Sequence, residues 1–251
     1  MLLLLKLTLS PTLVALASKA ARKYGPSVGG WIAGFPIVAG PVLFFYAWEQ
    51  GPAFGAHAAH STLMGLASLC AFAIAYGYAA RIFPWYGALA SGYAVFATGT
   101  FLLQGASLPL WVASLVGVTC LAATWFLLPE AADDGTAKPH PRWDVPMRMA
   151  ATAAIVVTLT YLAAWLGPRL SGLLTPFPVA TTVLVAFAHH QSGAGSAARV
   201  LRGLIGALFG FAAFCTVLAA GLEGWGTGLA FGLALLSAAV LQGLSLLWMQ
   251  R

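Results

Sequence analysis

Charge is what this sequence has least of. Asp, Glu, Lys and Arg make up 7% of its 251 residues, against roughly 25% in an ordinary globular domain. Apolar residues make up 61%, and the mean hydropathy is +0.89. One soluble core cannot hide so much apolar surface behind so little polar surface. This excludes a soluble enzyme, a disordered tail and a nucleic-acid-binding domain. The formal charge of +6 does not bring nucleic acid back, because the basic residues are scattered between apolar runs rather than gathered on one face. Cysteine is also scarce. Cys70, Cys120 and Cys215 lie far apart inside apolar runs with no CxxC, so neither a disulfide framework nor a metal knuckle is expected. They read as small buried hydrophobes. No cofactor and no metal are expected, and the chain reads as a non-enzyme.

Acidic residues are missing from the middle of every apolar run. Glu49, Glu130, Asp133, Asp134, Asp144 and Glu223 all fall in loops or at run ends. Cation pumps usually keep a carboxylate inside the membrane, so this pattern argues against a cation antiporter. Coupling would have to use His, Glu49 at a boundary, or backbone carbonyls; facilitated diffusion is also open.

What is present is a series of long apolar stretches. A helix needs about 20 apolar residues to cross a bilayer. Nine stretches qualify, near 2–23, 28–48, 56–80, 84–103, 107–128, 146–166, 170–190, 196–220 and 226–249. Turn signals separate them, among them Gly25-Pro26, Gly51-Pro52, Phe83-Pro84, Leu108-Pro109, Gly167-Pro168 and Glu223-Gly224. The expected fold class is an all-α polytopic membrane protein. One connection is long and polar, with Asp133, Asp134, Lys138 and Arg142. It divides the chain into a five-helix half (1–128), a linker (129–145) and a four-helix half (146–251). Ala15-Leu16-Ala17 after the leucines imitates a signal-peptide cleavage site. The start lacks a basic n-region, and Lys19, Arg22 and Lys23 follow the run instead, so the first span is expected to be retained.

The basic residues set an orientation. With the Lys19–Lys23 loop inside and alternation from there, ten of the twelve Lys and Arg fall on the cytoplasmic side. Only Lys6 and Arg169 fall outside. The positive-inside rule then gives an outer N-terminus and a cytoplasmic C-terminus. The expected location is the bacterial inner membrane, with lipids and a small-molecule substrate as partners and no nucleic acid. A homodimer is compatible with this composition.

The chain also matches itself at one fixed offset, the shift that carries Phe35-Pro36 onto Phe177-Pro178. The same shift carries Gly25-Pro26 onto Gly167-Pro168, Gly30 onto Gly172, Phe45 onto Phe187, Gly51 onto Gly193 and Phe72 onto Phe214. Lys6 meets Arg148, and His57 and His60 meet Arg199 and Arg202. Five spans separate the copies. An odd number puts the second copy upside down, the arrangement typical of secondary transporters.

The second and seventh spans are expected to be broken. One carries Gly34-Phe35-Pro36 and Gly40-Pro41; the other carries Thr175-Pro176-Phe177-Pro178 and Thr181-Thr182 at matching depth from the opposite face. Proline lacks an N–H and clashes with the carbonyl four residues back. Irregular backbone is tolerated inside a membrane where it lines a cavity or is buried in protein. New half-helices starting near Pro41 and Thr182 would aim free N–H groups and a partial positive charge at the centre. An anionic or polar organic solute suits such a site. These eleven residues are the expected substrate site.

Further out, Lys6 and Arg148 either snorkel to headgroups or guard two mouths for an anion. His57 and His60 read as interfacial polar residues or a proton-sensing pair. Arg199 and Arg202, with His189, His190 and Gln191 just before them, either obey the positive-inside rule or hold a phosphate. A lipid-phosphate translocase using Arg148, Arg199 and Arg202 is the alternative to a solute carrier. Tyr76, Tyr86, Tyr93, Thr98, Thr100, Thr158, Thr160, Tyr161 and Gln242 are pathway candidates.

Residues Lys6 to about Tyr78 resemble the GlpM-like small bacterial inner-membrane proteins of unknown function. The resemblance is carried by a starting Lys, Leu-Ser, a small-rich helix, Ala-Arg-Lys, Gly-Pro, Gly-Gly-x-Ile-Ala-Gly-Phe-Pro and Glu49-Gln50-Gly51. It implies that one such protein corresponds to one half of this chain. The five-helix inverted repeat with crossed broken helices is similar to bile-acid/auxin-carrier type transporters, which implies alternating access.

Overall fold

The computed structural model describes residues 2–36, 39–103, 105–106, 108–131, 143–174 and 178–249. Among them there are ten helices and no strand: α1 (Leu2–Tyr24), α2 (Pro26–Ala33), α3 (Ala39–Gln50), α4 (Pro52–Ala79), α5 (Trp85–Leu103), α6 (Leu110–Leu127), α7 (Asp144–Leu174), α8 (Val179–Ser192), α9 (Ala194–Gly221) and α10 (Thr227–Met249). Five are long and apolar enough to cross a membrane: α4, α5, α6, α9 and Thr227–Leu246 of α10. The nine expected spans are therefore not nine long helices. α2, α3 and α8 have 8, 12 and 14 residues, about 12 to 21 Å at 1.5 Å per residue, too short to cross a core of about 30 Å alone.

The helices end where the prolines fall. α2 stops at Ala33, a turn occupies Gly34 to Pro36, and α3 starts at Ala39. The second break lies between Leu174 and Val179, with Pro178 as the cap of α8. Thr175, Pro176 and Phe177 lie outside the described residues. Gly167-Pro168 behaves differently from its expected role as a turn, since α7 continues through it to Leu174. A single proline forgoes one backbone donor, and in hydrocarbon a continued helix leaves fewer groups unpaired than a loop does. The expected linker also ends early: Asp144 opens α7 rather than closing the loop.

Three joints share one geometry: Gly25 has φ 99 and ψ 161, Gly51 φ 95 and ψ 161, and Gly193 φ 88 and ψ 178. Only glycine adopts this region readily. Gly25 joins α1 to α2, and Gly51 and Gly193 are each a one-residue joint between a half-helix and a helix of 28 residues, α3 to α4 and α8 to α9.

α9 is the axis of the molecule. It packs on α2, α4, α6, α8 and α10, and Leu201, Ile205, Phe214, Cys215 and Leu218 on it are fully buried. Its crossing with α2 is a backbone contact. A Cβ at Gly30 would lie 1.9 Å from the Val200 carbonyl oxygen, and one at Gly203 would lie 1.8 Å from that of Ser27. Small residues allow such approach where apolar burial between helices gives no driving force. The outer surface is apolar, with Phe101, Leu102, Trp111, Phe126, Leu236 and Leu244 exposed, as a hydrocarbon solvent requires.

Candidate functional site

The first break is closed by its own backbone. Gly34 N–H reaches the carbonyls of Gly30 and Trp31 at 3.2 Å each, Phe35 N–H that of Ile32 at 3.2 Å, and Gly40 N–H that of Pro36 at 2.8 Å. Gly34, Pro36 and Gly40 are buried, while Phe35 and Pro41 are half-buried. A Cβ at Gly34 would strike Ala207 on α9, and one at Gly40 would meet the Phe214 ring at 3.6 Å. α9 therefore forms one wall of this break.

At the second break Pro178 is buried, and Thr182 N–H donates to the Pro178 carbonyl at 2.8 Å. Thr181 and Thr182 are buried. Tyr93 on α5 donates its hydroxyl to Thr182 Oγ1 at 2.8 Å. α2 and α8 pack on each other and both pack on α9, so the two breaks share that wall. Of the expected residues, the structure thus joins Pro36 to Gly40 and Thr182 to Tyr93.

α8 continues from this break to a polar cluster that the apolar pattern does not announce. Asp144 at the start of α7 is completely buried. Arg22 Nη2 donates to its Oδ2 at 2.6 Å, Arg148 Nε to Oδ1 at 2.9 Å and Gln191 Nε2 to Oδ1 at 2.5 Å. Arg148 Nη2 also donates to Gln191 Oε1 at 3.0 Å, and its guanidinium lies 4.9 Å from the centre of the Phe187 ring. Burial alone would raise the Asp144 carboxyl. The hydrogen bonds from Arg22, Arg148 and Gln191, with the Arg148 charge, outweigh that and hold it below the ordinary carboxylate value. Four side chains thus bind the end of α1, the start of α7 and the end of α8 to one another.

The same end holds a second polar pair. Tyr76, fully buried on α4, has its hydroxyl 3.1 Å from His189 Nδ1 and 3.5 Å from the Val185 carbonyl. Phe72 lies between Tyr76 and Tyr93, with ring centres 5.9 and 5.7 Å away. Along α8, Thr182, His189 and Gln191 therefore meet α5, α4 and α7 in turn.

The remaining candidates separate. Lys6 is on α1, and its side chain lies outside the described residues. Arg148 neither snorkels nor stands free; it is inside the cluster. His57 is exposed. His60 Nε2 and Arg202 Nε are buried with no hydrogen-bond partner, although Arg202 Nη2 donates to the Leu128 carbonyl at 3.0 Å. Arg199 is half-buried on α9. Gln242 Nε2 donates to the Trp31 carbonyl at 2.9 Å, which ties α10 to α2. A groove of about 360 Å³ between α4 and α5, lined by Ala71, Ala94, Val95, Thr98, Gly99 and Leu102, opens on the apolar surface and fits an acyl chain better than a polar solute.

The sequence reading missed Asp144 and Arg22. Asp144 follows a stretch rich in Pro, Asp and charge, and Arg22 counts towards a basic loop. The contact that joins them is between residues 122 apart in the chain, and it is Asp144 that is buried. A usable signal was the spacing of Asp144 and Arg148, four apart at a helix start.

Comparison with protein-family models, curated proteins and solved structures finds no match, and the reading of this site rests on its geometry.

Proposed function

We propose that this protein is a secondary transporter. It moves a small anionic or polar organic solute across the bacterial inner membrane by alternating access, with its N-terminus outside and its site between the breaks at Gly34–Pro41 and Thr175–Thr182. On this reading each half is a copy of one unit, related to the GlpM-like proteins that residues 6–78 resemble. The second copy is inverted. In the first copy the second crossing is assembled from α2 and α3; in the second, where α7 runs unbroken through Gly167-Pro168, its counterpart is built on α8.

One observation carries the reading. The shift that carries Pro36 onto Pro178 also carries α4 (Pro52–Ala79) onto α9 (Ala194–Gly221), end for end. The starts of α1 and α5 likewise meet the starts of α7 and α10. Gly51 and Gly193 are in register with the same unusual backbone angles. The buried unpartnered polar atoms support it further. Of the six among the described residues, four fall into two pairs at this offset: His60 with Arg202, and Thr100 with Gln242. Helix breaks repeated at equal register, with odd spacing of crossings, fit a site approached from both faces.

The lipid-phosphate translocase is less well supported. It needs Arg148 to collect a headgroup, yet Arg148 is bound to Asp144 and Gln191 and is buried.

A thermal-stability screen of the purified protein tests the proposal. Small carboxylates, phosphates, amino acids, sugars and polyprenyl phosphate form the panel. A ligand at about 100 times its dissociation constant adds roughly 2.7 kcal/mol. Stabilisation by a water-soluble solute, absent from Pro36→Ala/Pro178→Ala protein that still folds, is expected. Stabilisation that survives the double substitution, or that comes from lipid phosphates alone, refutes the site.

A further inference from the structure

Coupling to an ion needs a group that gains and loses charge. Asp144 is already engaged, since Arg22, Arg148 and Gln191 bind its two oxygens. His189 on α8 is placed differently. It is half-buried and precedes the exposed His190, which stands edge-on to the Trp85 ring. Its Nδ1 lies 3.1 Å from the hydroxyl of the buried Tyr76, and the Val185 carbonyl lies 3.5 Å from the same hydroxyl. With the ring neutral and its proton on Nε2, Tyr76 donates to Nδ1. With a proton on Nδ1, the ring donates to the Tyr76 oxygen and Tyr76 donates to the Val185 carbonyl. Both arrangements satisfy the buried hydroxyl, so a proton arrives and leaves without stranding a polar atom.

His189 follows Thr182 by two turns of α8, about 10 Å along the same face. The rings of Tyr76, Phe72 and Tyr93 run alongside from His189 to Thr182. A charge gained at His189 is therefore felt at the second break. Its surroundings are basic. Of the helices packed on α8, α1 brings Lys19, Arg22, Lys23 and Tyr24 to this end, α9 brings Arg199 and Arg202, and α7 brings Arg148 and Asp144. α5 brings the phenols of Tyr86 and Tyr93, and α4, through its Tyr76 contact, those of Tyr76 and Tyr78; α2 has no titratable side chain. Among the described residues of these helices, positive charge at this end exceeds negative. A proton on His189 adds to that excess, and an anion bound between the breaks reduces it.

We propose that His189 binds a coupling proton at Nδ1 and that this proton is bound together with an anionic solute between the breaks, so that the carrier is a proton–anion symporter. Imidazole is the side chain suited to exchange a proton near neutral pH. The Tyr76 hydroxyl, turning between Nδ1 and the Val185 carbonyl, registers the proton on the half-helix that carries Thr182. This inference rests on the carrier reading above and names its coupling ion.

The test uses the full chain in lipid nanodiscs with acetate, lactate and fumarate, which stay ionised above about pH 6. Calorimetry should show one of them binding several-fold tighter near pH 6 than near pH 8. Linkage then requires that anion to raise the proton affinity of His189 by the same factor. The proton is read from the ring nitrogen NMR signals of histidine-labelled protein, the His189 signal being the one absent from His189→Gln. That variant keeps an acceptor for Tyr76 and takes no proton, so its binding should not change with pH. Where it does not fold, Tyr76→Phe identifies the signal as the one it displaces. A His189 signal unmoved by a bound carboxylate overturns the coupling and leaves the carrier standing. PH dependence that persists in His189→Gln overturns the assignment to this residue. Binding of neutral solutes alone overturns the anion pairing and again leaves the carrier, whereas a protein that binds no solute at all removes both.

Discussion

α3 and α8 hold the same register in the two halves and do different things. α8 carries Thr182, His189 and Gln191, and each meets a polar partner on another helix. α3 carries Gly40, Ala47 and Glu49 at those positions. Gly40 and Ala47 are buried against apolar neighbours, and Glu49 is exposed. On the repeat proposed above, the backbone pattern recurs while the chemistry does not. One half-helix is held by directed polar contacts, which cost much to break in a low dielectric. The other is held by shape alone.

The largest effect should come from the polar side of this comparison. Asp144→Ala leaves Arg148 buried without its counter-charge, and removing one partner of a buried pair costs about 3–5 kcal/mol. Thermal unfolding in detergent should show that loss, and Glu49→Ala at the opposite end should show almost none. Comparable losses from the two would erase the distinction between the ends.

Next comes the wall that both breaks share. Gly203→Val places a side chain on the Ser27 carbonyl, where backbone rather than a flexible tip must move. Overpacking of this kind costs about 1–3 kcal/mol or more. Gly224, with open space around it, should accept Ala with little change in the same assay.

A smaller effect is expected from single hydroxyls. Tyr93→Phe removes the hydrogen bond to Thr182 and Tyr76→Phe those to His189 and Val185, each worth about 1 kcal/mol, from the α8 side. Phe44→Leu on the α3 side should act through packing, with no polar term. If Tyr93→Phe left both stability and solute binding untouched, its link to Thr182 would have no bearing on the site.

The acid dependence follows from the cluster. The Asp144 carboxyl is held below its ordinary value of 3.8 in the folded protein. Its contribution is therefore fully present above that value and is lost as the pH falls through the lower folded value. Unfolding followed from pH 7 downwards should show no change from this group until below about pH 4. Asp144→Asn should remove that part of the acid sensitivity.

The legible part of this protein was its local grammar. Apolar runs marked the helices, and Pro36 and Pro178 marked the breaks, because a proline disturbs its own turn wherever the chain goes. Gly167-Pro168 shows the limit of that grammar: the same dipeptide opens α2 at Gly25-Pro26 but lies inside α7. Beyond the Asp144–Arg148 spacing the polar cluster was not legible, since Asp144 also needs Arg22 and Gln191 from distant helices. Thr182 was readable as a candidate; that Tyr93 is its partner depended on how α5 packs on α8.

Inversion of the two halves is the central claim, and topology tests it most directly. Pro52 and Ala194 are register mates at the starts of α4 and α9. Pro52→Cys and Ala194→Cys are made separately in protein whose Cys70, Cys120 and Cys215 are replaced by Ala. Each is then exposed to a membrane-impermeant maleimide in intact and in permeabilised cells. An inverted repeat requires position 52 to label in intact cells and position 194 only after permeabilisation. Labelling of both positions from the same side would contradict it.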